Sequence, residues 1–233
     1  MADAERAAPS DLPRDPYRDS KSLEFGFRAK RFLEIRKIIE TILSEQGHAE
    51  ILDLGGSEQY WAVGRDFVEA HRHQLHFTII NLEPQESSLP SLFDFNVGDA
   101  CDPALFAGRR FDLVHSNSVI EHVGDQAQML RFANNTRRLG TRYYMQTPDF
   151  WFPYEPHFRF PGFQWLPASM RATLMTRMRL GFFPRETNWH HAKELVESIR
   201  LLTTAQVAQL FPDAVIKRER VLGMSKSIMA IKA

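Results

Sequence analysis

Glu50-Ile-Leu-Asp-Leu-Gly-Gly-Ser-Glu58 is the stretch whose reading decides the fold. A short apolar run ends on an acid and a Gly-Gly pair, and Tyr60, Val63, Phe67 and Ala70 then recur at helical spacing. The pattern predicts strand, tight turn, helix. Gly55 and Gly56 carry no Cβ, so the backbone there can come close to a ligand. The start of the following helix offers unpaired N–H groups to polar ligand atoms. In outline this is a cradle for a nucleotide or cofactor, although any βα unit can turn on two glycines.

Upstream, residues 1 to about 20 set Pro9, Pro13 and Pro16 among alternating charges, a composition that predicts a mobile tail. Phe32, Ile35, Ile39 and Ile42 then step by three and four, and Gly47 is placed to stop that helix. Arg28, Lys30 and Arg31 read as a solvated charged face that could also reach a ligand carboxylate. Downstream, the run from Leu75 to Leu82 is rich in β-favouring residues and stops at Glu83-Pro84. Glu83 therefore sits at a strand's carboxyl end, where an acid can accept both hydroxyls of a ribose. A solvated loop residue is the alternative. Asn96-Val-Gly-Asp-Ala100 repeats the logic, with Asp99 placed to accept from an exocyclic amine such as that of adenine and the Ala100 N–H as the matching donor.

The next strand runs from Phe111 to Ser118, a helix follows from Gln126 to Leu139 and ends at Gly140, and Arg142 to Gln146 makes a fifth strand. Strand and helix alternate five times to this point, which marks a parallel sheet with right-handed crossovers. With 233 residues and 43% hydrophobic content, one α/β domain over residues 21–233 is expected. Lys plus Arg and Asp plus Glu are 29 each, so no global charge pulls the chain toward nucleic acid or an anionic membrane. The single Cys101 excludes an internal disulfide and reads as a small buried hydrophobe. No apolar signal region and no 18-residue apolar run are present, so a soluble, reducing, cytoplasmic setting without integral membrane contact is expected.

In motif order, Ile51-Leu-Asp-Leu-Gly-Gly-Ser57, Glu83, Gly98-Asp-Ala100 and Ser116-Asn-Ser-Val-Ile-Glu-His-Val123 resemble the class I S-adenosylmethionine-dependent methyltransferases. The likeness is to the small-molecule branch whose fourth motif reads Ser-Asn-x-x-Glu-His-Val, and it covers about residues 50–148. It implies a Rossmann-like, mostly parallel seven-stranded sheet and S-adenosyl-L-methionine as cofactor. It also implies Asp53 and Gly55 against the methionine part, Glu83 on the ribose, Asp99 and Ala100 on the adenine, and Ser116 near the methionine ammonium. The family's alternating glycines would fall at 55, 57 and 59; here Ser57 and Gln59 stand at the last two, and Gly55 and Gly56 carry the close approach. An NAD-type site is the competitor, but it needs a third glycine and an acid about 20 residues on. This chain lacks that glycine and Glu83 lies further away, whereas a sulfonium cofactor has no phosphate to cradle.

Asp149-Phe-Trp-Phe-Pro-Tyr-Glu-Pro-His-Phe-Arg-Phe-Pro-Gly-Phe-Gln-Trp-Leu-Pro167 opens an aromatic lid insertion over residues 149–190. So many prolines exclude regular helix or a central strand, which predicts an ordered loop over the carboxyl end of the sheet. Phe152-Pro-Tyr-Glu-Pro-His157 resembles a run in a bacterial methyltransferase group associated with sugars or lipid-linked glycans. Aromatic walls suit a sugar or aromatic acceptor, and Arg159 could recognise a carboxylate or phosphate; a lid that only packs the core is the alternative. Pro167 to Leu180 reads as a helix whose Arg171, Arg177 and Arg179 share no face, so a membrane-surface role is not favoured. His190 and His191 open another helix and point apart, Thr204 to Phe211 is a short helix, and Val215–Val221 with Lys226–Ile231 forms a C-terminal antiparallel hairpin.

Methyl transfer from a sulfonium needs an oriented acceptor, exclusion of water and, for a hydroxyl, removal of a proton. His122 and His157 are the candidate bases. Glu121 and His122 are also similar to the Glu-His pair of the metal-assisted ubiquinone-pathway methyltransferases; the further glutamate of that pattern is Ser118 here, so no required metal is expected. The expected activity is methyl transfer to a small-molecule or glycan-like acceptor at oxygen, with a catalytically silent cofactor-binding protein as the alternative. A homodimer stays open.

Overall fold

The computed structural model describes Tyr17 and residues 19–233; the tail expected over residues 1–20 lies, but for its last residues, outside the described residues. Helix α1 (Leu23–Gln46) begins where the Ser22 hydroxyl accepts from the Phe25 N–H at 3.1 Å. It ends at Gly47, whose φ of 78° lets its N–H turn back to Leu43 O. The stripe of Phe32, Ile35, Ile38, Ile39 and Ile42 is buried against the sheet, each such side chain contributing about 1.5–3 kcal/mol of burial.

The chain continues as β1 (Ala49–Leu54), α2 (Glu58–Trp61), a 3-10 turn over Ala62–Gly64, α3 (Arg65–Ala70), β2 (Leu75–Asn81), β3 (Phe93–Val97), β4 (Phe111–Asn117), α4 (Gln126–Leu139) and β5 (Gly140–Pro148). The insertion then forms a short ribbon, β6 (Tyr154–Glu155) with β7 (Phe160–Pro161), followed by α5 (Ala168–Arg177) and α6 (Trp189–Ser198). α7 (Thr204–Leu210), β8 (Val215–Val221) and β9 (Met224–Lys232) close the fold.

One seven-stranded sheet runs in the order β3-β2-β1-β4-β5-β9-β8. All neighbours from β3 to β5 are parallel, and β9 is the one reversed strand, antiparallel to both β5 and β8. The final hairpin turns on Leu222 (φ 51°) and Gly223 (φ 81°), a two-residue loop with both φ positive that matches the twist of its strands. One face of the sheet packs α1 and α3; the other packs α4 and α7 through Phe132, Ala133, Val207 and Phe211. The insertion and α6 share a third cluster built on Phe158, Phe163, Met175 and Val196.

Two expectations are corrected. The alternation of strand and helix fails between β2 and β3 and between β3 and β4, where residues 82–92 and 98–110 hold no helix. Pro84 and Pro90 in the first connection, and Pro103 and Gly108 in the second, oppose helix there. The stretch 149–167 holds a short ribbon and a 3-10 turn (Phe163–Trp165) rather than a loop throughout, whereas the helix expected over 167–180 is α5.

Candidate functional site

The strand order reverses between β1 and β4, and ligands of open α/β sheets bind outside the carboxyl ends at such a point. A cavity of about 330 Å³ lies there, lined by Gly55, Asn81, Leu82, Gly98, Asp99, Ala100, Ser118, Val119 and His122, among others. A larger groove of about 810 Å³ opens elsewhere, between α2–α3 and the helix-free connection into β3. It holds none of the strand-end residues of β1 and β4, so its size reflects the missing helix rather than a built site.

Gly55 has φ 71°, and a Cβ there would meet Val119 Cγ1 at 2.5 Å. A Cβ on Gly56 would fall 2.0 Å from Asp53 Oδ2. The turn therefore needs both glycines, one for its backbone conformation and one for the acid beneath it. Asp53 is fully buried, accepting from Trp61 Nε1 at 2.9 Å and from His115 Nδ1 at 2.7 Å. Its carboxylate supports the turn from below and does not line the cavity.

Asn81, at the end of β2, donates from Nδ2 to Gly56 O at 3.2 Å and accepts the Leu82 N–H at Oδ1, tying the strand end to the glycine turn. Glu83 lies two residues further on, exposed and outside the cavity lining. The amide of Asn81 thus holds the strand-end position expected for Glu83, because β2 stops at residue 81 and Leu82, Glu83 and Pro84 after it are exposed. Asp99 and Ala100 do line the cavity; the Asp99 carboxylate also accepts the Cys101 N–H at 2.8 Å. Asn135 on α4 anchors this loop by donating to Ala100 O and Asp102 O. Burial raises the Cys101 thiol to about 12, with Asp99 beside it adding to the effect, so the thiol stays protonated.

Ser116 is buried inside the β4 ladder, and its hydroxyl donates to Leu54 O at 3.0 Å rather than facing the cavity. Ser118, two residues on and just past the strand, lines it with φ 55°, its hydroxyl donating to Gln146 Oε1 at 3.1 Å. A non-glycine residue in that region is a strained position of the kind that collects at functional sites. Arg31 is committed to Glu219 at 2.9 Å, and Arg159 stacks on the Phe182 ring at 4.5 Å. His190 and His191 donate their backbone N–H groups to the Asn188 cap of α6.

The insertion meets the cavity's edge through a pair of histidines. His122, on the 3-10 turn Ile120–His122 after β4, has its Nε2 3.1 Å from Nε2 of His157, which sits in the turn between β6 and β7. Glu155 accepts from His157 Nδ1 at 2.7 Å and from the Phe158 N–H at 2.6 Å. The Gly181 backbone packs so tightly here that a Cβ would meet His157 O at 2.3 Å, which fixes the turn. Glu121 is fully buried; Oε2 accepts from the Thr147 hydroxyl at 2.9 Å and Oε1 has no partner among the described residues. Burial raises its carboxyl to about 7, against the lowering effect of His157. Burial also pushes His122 down to about 4, with His157 adding to the shift. Burial pulls on His157 in the same sense, but the Glu155 carboxylate bonded to its ring outweighs it and holds that imidazole above its ordinary value. Nothing in local periodicity or spacing brings two residues 35 apart together.

No family profile matches the chain. Uncharacterised proteins from two strains of Mycobacterium tuberculosis are each 36% identical over 55 residues, 24% of this chain and 19% of theirs. Among solved structures, the DszA carbon methyltransferase superposes with a TM-score of 0.57 at 14% identity, over 93% of this chain and 56% of that one. An O-methyltransferase family protein from Burkholderia thailandensis gives a TM-score of 0.48 at 14% identity, over 90% of this chain and 60% of that one. The chain spans less than two thirds of either structure and about a fifth of the curated relatives. No helix among the described residues is long and apolar enough to cross a membrane. Strand order and the superposition on the carbon methyltransferase give this chain the Rossmann-like fold of the class I methyltransferases.

Proposed function

We propose that the chain binds S-adenosyl-L-methionine in the strand-end cavity and transfers its methyl group to a small-molecule or glycan-like acceptor, at oxygen. The observation that carries this is the cavity itself: a glycine turn, a strand-end Asn81 and the Asp99-Ala100 pair follow one another across β1, β2 and β3, with no glycine loop for a pyrophosphate. Gly55 and Gly56 leave room for the methionine end, Ser118 stands where Ser116 was expected, and Asp53 acts by holding the turn. Asn81 takes the ribose hydroxyls, with Glu83 on the exposed loop as the second candidate. Asp99 and the Ala100 N–H take the adenine edge.

In the reaction the acceptor oxygen bonds to the methyl carbon as the carbon–sulfur bond breaks. The electron pair of that bond stays on sulfur, giving a neutral thioether, and the hydroxyl proton passes to water. His122 and His157 stand where the insertion meets the cavity and act on the acceptor side. The insertion's exposed Trp151, Tyr154 and Trp165 supply apolar faces of the kind a sugar or aromatic ring stacks on.

Calorimetric titration with S-adenosylmethionine, followed by a panel of hydroxylated acceptors with 13C-methyl-labelled cofactor, tests the proposal. Binding with label appearing on an acceptor oxygen supports it. Binding without transfer to any acceptor favours a silent cofactor-binding protein, and label on carbon would move the acceptor atom to the chemistry of the DszA enzyme.

A further inference from the structure

Three donor groups from two distant parts of the chain converge at the inner edge of the insertion. A carboxylate oxygen of Glu121, a ring nitrogen of His122 and a ring nitrogen of His157 all lie within 4.8 Å of one another. Two of them are prepared for a cation in different ways. Glu155, only 2% exposed, accepts from His157 Nδ1, which makes Nε2 the lone-pair nitrogen and turns it toward His122 Nε2; metal-bound histidines are commonly oriented by a carboxylate in this manner. Glu121 is fully buried, with Oε2 held by Thr147 and Oε1 lacking a partner among the described residues, a costly arrangement for the ionised carboxylate unless something positive satisfies it. The two Nε2 atoms are 3.1 Å apart. At a metal–nitrogen distance of about 2.05 Å, that separation corresponds to a nitrogen–metal–nitrogen angle of about 98°, between octahedral and tetrahedral values.

We propose that Glu121, His122 and His157 bind one divalent first-row transition ion of the zinc class. Two imidazoles and one carboxylate suit such an ion better than magnesium or calcium, which take mainly oxygen ligands. Three protein ligands leave coordination positions open, and His122 lines the cavity, so the open side faces the acceptor's place. The absence of a glutamate at position 118 does not remove the site, because the third ligand comes from the insertion; Ser118 is instead bonded to Gln146. The ion's role, though not its binding, rests on the methyl-transfer proposal. An acceptor hydroxyl on the ion would release its proton to water near neutral pH, and its oxygen would then take the methyl carbon as the carbon–sulfur bond breaks.

The test is titration of the chelator-treated full chain with zinc by calorimetry and with cobalt(II) by visible absorption. One ion per chain is expected, with a dissociation constant at or below about 1 μM. His157→Ala and Glu121→Gln should each weaken zinc at least about tenfold, and Glu155→Gln, which only orients His157, by about 10–100-fold. The double variant H190A/H191A, altered on the exposed end of α6, should bind as the parent does. No stoichiometric binding by the parent, or unchanged binding by folded H157A and E121Q, overturns the site. Should those variants fail to fold, imidazole nitrogen NMR of the parent decides: zinc must shift the Nε2 signals of His122 and His157, and a spectrum in which they do not move overturns it. S-adenosylmethionine binding measured on the metal-free chain separates the two claims, since either can fail with the other intact.

Discussion

Trp61 Nε1 and His115 Nδ1 both donate to the Asp53 carboxylate, so the acid of the glycine turn is bonded within the core and stands outside the cavity lining. Each buried donor left without a partner costs roughly 1–3 kcal/mol. Asp53→Ala is therefore expected to lower the unfolding free energy in urea by about 2–5 kcal/mol, while Trp61→Phe, which removes one donor, should cost less; a D53A loss under about 1 kcal/mol would contradict this role. The motif was legible in sequence, but its direction was not. Ser116 and Ser118 share a strand parity, and only the end of the β4–β5 ladder decides which one passes the sheet edge. Asn81 and Glu83 differ in the same way. Asn81→Ala is expected to weaken S-adenosylmethionine by about 1–3 kcal/mol in calorimetry, the scale of a buried hydrogen bond left unmade. Glu83→Ala should change it little; the reverse ranking would return the ribose to Glu83.

At the scale of elements, most of the chain reads directly. The helix Gln126–Leu139, the hairpin strand Val215–Val221 and the Gly47 stop all fall where periodicity and turn residues put them. The helix behind the glycine turn does not. It breaks into α2, a 3-10 turn and α3, because Gly64 is pressed against α1: a Cβ there would sit 1.9 Å from the Phe32 ring. Helical spacing records which side chains face inward, not how close a neighbouring helix comes. Gly64→Ala is expected to destabilise the fold by about 1–3 kcal/mol through overpacking, read as a lower urea midpoint at unchanged slope. A neutral effect would mean that α1 and the turn can separate freely.

Across the whole molecule, the sheet places a cavity at its point of reversal, and the insertion, which has a core of its own, meets the cavity's edge where His157 touches His122. The first part follows from the order of motifs along residues 50–148, since parallel sheets leave few topologies to choose from. That the insertion lies at the carboxyl end of the sheet was expected from its place after β5, but the meeting of His122, Glu121 and His157 was not legible: it depends on how the ribbon β6–β7 folds back, and local composition there excludes helix and a central strand without specifying that ribbon. The central claim, a cofactor seated at the strand ends, is tested most directly by a crystal structure with S-adenosylhomocysteine. The adenine should lie against Asp99 and Ala100, the ribose at Asn81 and the amino-acid end over Gly55. Density in the larger groove beside Glu58, or none at saturating ligand, would contradict it.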